Sequence, residues 1–399
     1  MEFGSIKIPI GPQHPFLKEP ARFDFEVSGE EIRSARMRIG YNHRGIEKAM
    51  EERNYYQGLY LIERICGICS HSHTTCFVQA VEELLGLEVP KRGLYLRTLV
   101  CELERVHSHL LWVGVAAHEV GFDTLFMLVW RDRELVMQIL EEISGNRVNY
   151  AFNTIGGVRR DITEEQRKKI LDLLGVLKQR IDYYTHIGTN EPTFVARLQG
   201  VGVMKRERAI EMCACGPFAR ASGVDIDVRR DDPHAAYPEV EFKVITSDMC
   251  DILGRVVVRV LELVESCRII DQLLTKLPEG PIIAEKVPRK VPPGEVVSRY
   301  EAPRGEDIHY VRSNGTDRPE RYRVRAPTMN NLEAATESVV GAFVADIPIA
   351  IASIDPCFSC TDRMTVILRD TRRGERILTW EELRRHGIEW TRKNRGIGF

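Results

Sequence analysis

Two C-x-x-C pairs, Cys66/Cys69 and Cys357/Cys360, stand 291 residues apart in a chain of 399 residues. Each pair can offer two thiolates to one soft metal ion. Together they complete a four-sulfur site only in a fold that returns the end of the chain to its beginning. Zinc, an iron-sulfur cluster and nickel all accept such a donor set, and the spacing alone does not choose among them. The other six cysteines, Cys76, Cys101, Cys213, Cys215, Cys250 and Cys267, are scattered, which predicts buried packing roles for most of them. A chain of this length has no need of disulfide staples.

The segments between the pairs read mainly as helix. Tyr55 to Ile65 leads directly into the first pair, and a helix is expected over 74–86, ending at Gly86. Leu99, Leu103, Val106, Leu110 and Val113 recur at helical spacing within 97–120, and a second long helix is expected to end near Gly145. Thr163 with Gln166 forms a capping-box pattern ahead of the stripe Ile170, Leu174, Leu177 and Ile181. Residues 247–277 give another long apolar helix. Strand-like alternation occurs over 5–11 and 22–32, with Gly29 as turn former, and again over 306–315 and 320–327. Residues 278–300, rich in Pro, Lys and Val, read as irregular chain that is partly extended, and 330–341 as helix. This order predicts an α+β fold with a central bundle of long helices and small peripheral sheets. The expected division is a strand-rich region 1–54, a helical core 55–277 carrying the first pair, a mixed region 278–363 carrying the second, and an extension 364–399.

Composition removes several function classes. With 56 basic and 58 acidic residues the formal charge is -2, so no general electrostatic attraction to nucleic acid is expected. The basic run from Arg369 to Arg395 is balanced between a solvated surface and a partner-binding one. No secretion leader, membrane-spanning apolar run, Gly-rich phosphate loop or internal repeat is read.

The residues around the pairs are more specific than their spacing. Glu63-Arg64-Ile65-Cys66-Gly67-Ile68-Cys69 precedes Ser70-His71-Ser72-His73, and the second pair lies within Asp355 to Arg363. Glu301 to Tyr310 reads EAPRGEDIHY, and Arg44 to Glu47 reads RGIE. In this order, these four segments resemble the signature motifs of nickel-iron hydrogenase large subunits. GPQHPFLKEPARF (11–23) and DVRRDDPHAAYPEVEF (227–242) are similar to the branch shared by energy-converting, membrane-bound (group 4) hydrogenases and the 49-kDa-type subunit of respiratory complex I. The complex I subunits lack the metal-binding cysteines, whereas this chain has all four.

The resemblance implies the corresponding fold and reversible H2 = 2 H+ + 2 e-. It implies a nickel-iron centre whose iron carries carbon monoxide and cyanide, with Cys66 and Cys357 as terminal nickel ligands and Cys69 and Cys360 as bridges. It further implies Cys357 as the first base, Glu19 as a proton-relay carboxylate and Arg304 as a fixed cation near the centre. Read as residues alone, Glu19 is equally a surface acid on a Pro-bounded turn, and Arg304 a salt bridge within its own turn. Around them, His73, Asp355, Arg64, Glu47 and His14 are expected as supporting groups: His73 by hydrogen bond to the centre, Asp355 by accepting hydrogen bonds near the site or anchoring its turn, Arg64 by fixing the first loop or by lying beside the subunit that delivers electrons. Glu47 is expected either to relay protons or to lock Arg44, and His14 to shape a proton path or local packing.

Implied partners are a small iron-sulfur subunit holding [4Fe-4S] clusters, proton- or sodium-translocating membrane subunits, and a ferredoxin or formate-oxidising module. The chain would then sit peripherally on the cytoplasmic face of the cell membrane. Arg363 stands where family members are cut by a maturation endopeptidase, and a short capped helix is read over 379–387 within the tail. The alternative is a quinone- or sulfur-reducing relative that keeps the cysteines.

Overall fold

The computed structural model describes residues 4–362, 368–370, 374–376 and 380–395. Arg363, the expected cleavage point, lies outside them. The chain opens with an antiparallel sheet, β1 (Ser5–Ile10), β2 (Arg22–Ser28) and β3 (Glu31–Arg38), in that spatial order. Phe23, Phe25 and Val27 of β2 point inward while their neighbours are half exposed, the period-2 pattern of a sheet covered on one face. Helices α1 (Ile46–Glu51), α2 (Tyr55–Glu63) and α3 (Ser70–Leu85) follow. Helix α3 begins four residues earlier than the apolar pattern indicates. Its first turn, Ser70 to His73, is polar but fully buried, so hydropathy gives no sign of it.

The bundle consists of α4 (Lys91–Glu119), α5 (Asp123–Ser144), α6 (Glu164–Asn190) and, after four short helices, α11 (Ile252–Thr275). Those short helices are α7 (Pro192–Leu198), α8 (Arg206–Glu211), α9 (Gly216–Arg220) and α10 (Val228–Asp231). Helix α4 packs on α5 and α11, and α6 on α11. The capping box at Thr163 forms as read, with reciprocal Thr163–Gln166 hydrogen bonds of 3.1 and 2.9 Å. A small hairpin, β4 (Asn153–Thr154) and β5 (Gly157–Val158), links α5 to α6.

A second antiparallel sheet joins β6 (Gly294–Ala302), β7 (Gly305–Ser313) and β8 (Pro319–Arg325). Strand β6 is the extended part of 278–300, and the residues before it are irregular. The Pro292-Pro293 pair stops just before it, and its last three residues are buried. Helices α12 (Pro327–Ser338), α13 (Ile347–Ala352) and α14 (Phe358–Thr361) lead to the second cysteine pair. Farther on, β9 (Leu368–Asp370) pairs with β10 (Gly374–Arg376), and α15 (Trp380–Arg395) extends beyond the helix read at 379–387. The main core unites Phe23 and Phe25 with the bundle and with Ile347, Ile351 and Phe358. That shared core returns the end of the chain to its start. Among the described residues no helix is long and apolar enough to cross a membrane.

Candidate metal centre

The first cysteine loop runs from the end of α2 to the start of α3, so Cys69 immediately precedes the N-terminus of a sixteen-residue helix. Unpaired N–H groups there favour negative charge. The Ile68 N–H donates to Cys66 Sγ at 3.3 Å. The second loop ends in α14, and Cys357 N–H donates to Thr328 Oγ1 at 3.1 Å. The two loops meet. Cys66 Sγ lies 3.4 Å from Cys357 Sγ, Cys357 Sγ 2.9 Å from Cys360 Sγ, and Cys360 Sγ 3.6 Å from Cys69 Sγ. All four are buried free thiols within 4.8 Å of one another.

Donation from Cys357, Cys360 and Cys69 pulls the Cys66 thiol well below its ordinary value. Cys360 also donates to Cys357, yet the neighbouring Cys66 pushes Cys357 up to about 11. Burial drives Cys360 well above its ordinary value. Four buried sulfurs this close can ionise together only against a cation. A soft metal ion that bonds thiolate fits this donor set.

Three side chains hold the loops. The Arg44 guanidinium donates to the Arg64 and Ile65 carbonyls at 2.7 Å each and to the Ser359 carbonyl at 2.9 Å, clamping both cysteine loops with one planar fork. Glu104 of α4 accepts from the N–H groups of His71 (2.7 Å) and Ser72 (2.9 Å) and from the Ser72 hydroxyl. It thereby satisfies the buried start of α3. Glu19 accepts from the N–H groups of Phe358 and Ser359 and from the Ser359 hydroxyl. Burial raises the Glu19 pKa above 4.5 despite those donors. Glu19 is therefore neither a plain surface acid nor remote from the sulfurs.

Burial lifts Glu104 to about 7 from an ordinary 4.5. Between those values the folded chain holds a proton that the unfolded chain releases, so this group's contribution to stability falls as pH rises. Glu104→Gln is expected to flatten the decline in thermal midpoint between roughly pH 5 and roughly pH 8. A slope equal to the parent's would show that Glu104 stays ionised throughout.

Arg304 occupies the β6–β7 turn. Its guanidinium reaches the Asp355 carbonyl and Oδ1, both at 2.8 Å, and Ser108 Oγ at 3.4 Å. The ion pair thus ties the turn to the second cysteine loop, not to itself. Asp355 adopts a left-handed backbone (φ 57°), unusual for a residue with a side chain and consistent with a tightly specified loop. Gly305 follows Arg304 with φ 126°, and a Cβ there would lie 2.8 Å from Gly216 Cα. Gly305→Ala should cost about 1–3 kcal/mol and loosen Arg304 from Asp355. Unfolding midpoints of the purified complex, with activity alongside, check this expectation. A cavity of about 280 Å3, lined mainly by Phe16, Leu17, Ile68, Leu111, Trp112, Val115 and Ile351, reaches Arg304, Asp355 and Cys357 and is flanked by Glu19.

His73 Nε2 lies 3.2 Å from Cys360 Sγ, and its Nδ1 is 3.0 Å from Asp307 Oδ2. Burial opposes charge on His73, but the Asp307 carboxylate outweighs it and raises the pKa. His309 joins the same carboxylate at 3.1 Å and meets the Tyr322 hydroxyl at 3.0 Å. His71 turns away to the Arg97 carbonyl (3.0 Å), and burial lowers it to about 3. Asp307, His309, Glu104 and Thr328 were not singled out from sequence. Asp307 and His309 occupy alternate positions of β7 and so share one face, a legible signal within the EAPRGEDIHY segment.

The remaining residues singled out from sequence lie farther from the sulfurs or face outward. His14 is exposed, accepts from Phe16 N–H at 3.4 Å and lines a shallow depression outside the sulfur cluster. The Glu47 carboxylate takes Val324 N–H (3.0 Å) and Arg323, which anchors α1 to β8. The Arg64 side chain points outward to Glu63 (2.9 Å) and the Tyr60 carbonyl, while Glu63 fixes Ala151 N–H at 2.6 Å. Only the Arg64 carbonyl takes part in the clamp. Cys213 is exposed and Cys250 half exposed. Cys213 ends α8 in a left-handed conformation that turns its side chain outward.

Residues 44–117 match the nickel-dependent hydrogenase family, and residues 119–290 and 287–363 match the 49-kDa subunit family of respiratory-chain NADH dehydrogenase. The chain is 43% identical to the membrane-bound hydrogenase subunit alpha of Pyrococcus furiosus, over 97% of this chain and 94% of that protein. It is 40% identical to an NADH-quinone oxidoreductase subunit of Dehalococcoides mccartyi, over 90% of this chain and 98% of the other. A solved structure of the membrane-bound sulfane sulfur reductase, an archaeal respiratory membrane complex, superposes with a TM-score of 0.86 at 33% identity, covering 90% of this chain and 98% of that one. Sequence, fold and the buried cysteine cluster therefore converge, and the chain belongs to the family that unites hydrogenase subunits of membrane-bound complexes with the 49-kDa subunit of respiratory NADH dehydrogenase.

Proposed function

We propose that this chain is the catalytic subunit of a membrane-associated nickel-iron hydrogenase, interconverting H2 with two protons and two electrons. The carrying observation is the convergence of Cys66, Cys69, Cys357 and Cys360 into one buried cluster. Cys66, Cys69, Cys357 and Cys360 would hold the nickel-iron centre, Cys66 and Cys357 toward nickel alone and Cys69 and Cys360 shared with an iron bearing carbon monoxide and cyanide. When bound, that centre supplies the two-electron cleavage and formation of H2. The residues around it manage charge and protons. Arg304, held by Asp355, offers a fixed cation. His73, oriented by Asp307, donates to Cys360. Cys357 receives the first proton, and Glu19, beside the Cys357–Ser359 backbone, passes it outward.

Electrons leave through [4Fe-4S] clusters in a small partner subunit. Membrane subunits couple the reaction to proton or sodium movement, and a ferredoxin or formate-oxidising module completes the complex on the cytoplasmic face. The segment after Arg363 is the substrate of a maturation endopeptidase.

A second reading rests on two observations: the likeness to a sulfane sulfur reductase and the apolar cavity that reaches Cys357. In that case a sulfur compound or quinone would be reduced. The natively matured complex decides between them. About one nickel per chain with infrared bands of iron-bound carbon monoxide and cyanide supports the hydrogenase. Sulfur or quinone reduction with neither nickel nor bands overturns it.

A further inference from the structure

We propose that Glu301 is a positioning residue for Arg304, acting through the strand end from which that arginine projects. This rests on the hydrogenase reading above. Segment 227–242, singled out in the sequence, has no part in the sulfur cluster, yet its start packs on β6. Glu301 is fully buried. Its Oε1 accepts from Arg220 at 2.8 Å and its Oε2 from Val228 N–H at 3.1 Å. Its carbonyl accepts from Arg105 at 2.5 Å, and the Ala302 carbonyl accepts from the same guanidinium at 3.3 Å.

Arg220, Val228 and Arg105 thus fix the two residues before the Pro303-Arg304 turn, and the Gly216–Gly305 contact fixes the residue after it. Burying a carboxylate against Arg220, with a second buried guanidinium, Arg105, on the backbone carbonyls beside it, is costly where apolar packing would close a hairpin equally well. What the ionic clamp adds is direction. The charged pairs have one geometry, and they set the angle at which Arg304 approaches Asp355 and the cysteines.

The test is a double-mutant cycle on the intact, matured complex, pairing Glu301→Gln with Arg304→Lys. Glu301→Gln should lower turnover about 10- to 100-fold by displacing Arg304. Nickel content should stay at the parent level, and the infrared bands should shift in the same sense as in Arg304→Lys. The double variant should be no slower than Arg304→Lys alone. Losses that multiply, or bands that do not move, overturn the positioning role. If Glu301→Gln gives no folded complex, Arg105→Lys takes its place in the cycle with the same outcomes. A parent complex without nickel overturns the hydrogenase reading and this inference together. Multiplying losses in a nickel-containing complex overturn the inference alone.

Discussion

Cys69→Ser is expected to remove H2 turnover, to below about one-hundredth of the parent, together with the nickel-iron centre itself. Cys69 ends the first loop at the N-terminus of α3 and faces Cys360 at 3.6 Å. Serine fits the space, but its hydroxyl ionises far less readily than a thiol and is a hard donor, poorly matched to nickel. Changes to groups that only support a ligand already cost about 10- to 100-fold, so loss of a sulfur that holds the proposed centre should cost more. The fold should survive, because α3 is held by Glu104 and by the Arg97–Glu82 pair at 2.8 and 2.9 Å, neither of which involves the thiol. Metal analysis with infrared spectroscopy of the variant complex checks this. Parent-level activity with intact metal would sink the ligand assignment.

The same variant separates the two readings. A sulfur- or quinone-reducing protein that uses the cavity by Trp112 and Phe16 would lose little of its own reductase activity on losing one thiol.

What was legible in the sequence follows from how local each signal is. The capping box at Thr163 and Gln166 involves residues three apart and forms as read. The alternation of β2 reports a sheet buried on one face. Convergence of the cysteine pairs was legible from the motifs around them, whose resemblance implies a common centre, whereas the pairing alone left it open. Helix α4 shows the opposite case. It is buried on nearly every face, and Arg97, Glu102, Glu104, Arg105, His107 and His109 all lie inside it. A polar residue within a helical pattern ordinarily means a solvent face, so their partners on α3, α5, α10, α11 and β6 could not be read from spacing. Arg44 is similar. Its motif stood out, but the expected lock to Glu47 is not what holds the loops. The targets are three backbone carbonyls on two distant segments, and carbonyls carry no sequence signature.

Glu19→Gln should lower H2 turnover about 10²- to 10⁴-fold while nickel content and the infrared bands stay as in the parent. The separation of activity from metal content is the informative part, because Glu19 also has a structural task. Its carboxylate caps the short helix α14 through Phe358 and Ser359. Glutamine keeps one acceptor oxygen for those N–H groups and nearly the same shape, so the loop and its sulfurs should hold. What glutamine lacks is a titratable proton at that position. Burial raises the Glu19 pKa, bringing it nearer the working pH of a proton carrier, whereas the three donors pull it back. On the hydrogenase reading, a carboxyl whose pKa is raised by burial is suited to take up and release a proton beside the centre. Glu19→Asp should recover part of the turnover, because the titratable group remains though its reach is shorter. H2 oxidation and proton reduction should fall by the same factor, since one relay serves both. Equal turnover in Glu19→Gln and parent would take Glu19 off the proton path and leave it as the cap of α14. Loss of nickel in parallel with activity would show that the capping bonds, not the proton, are what the centre needs from this residue.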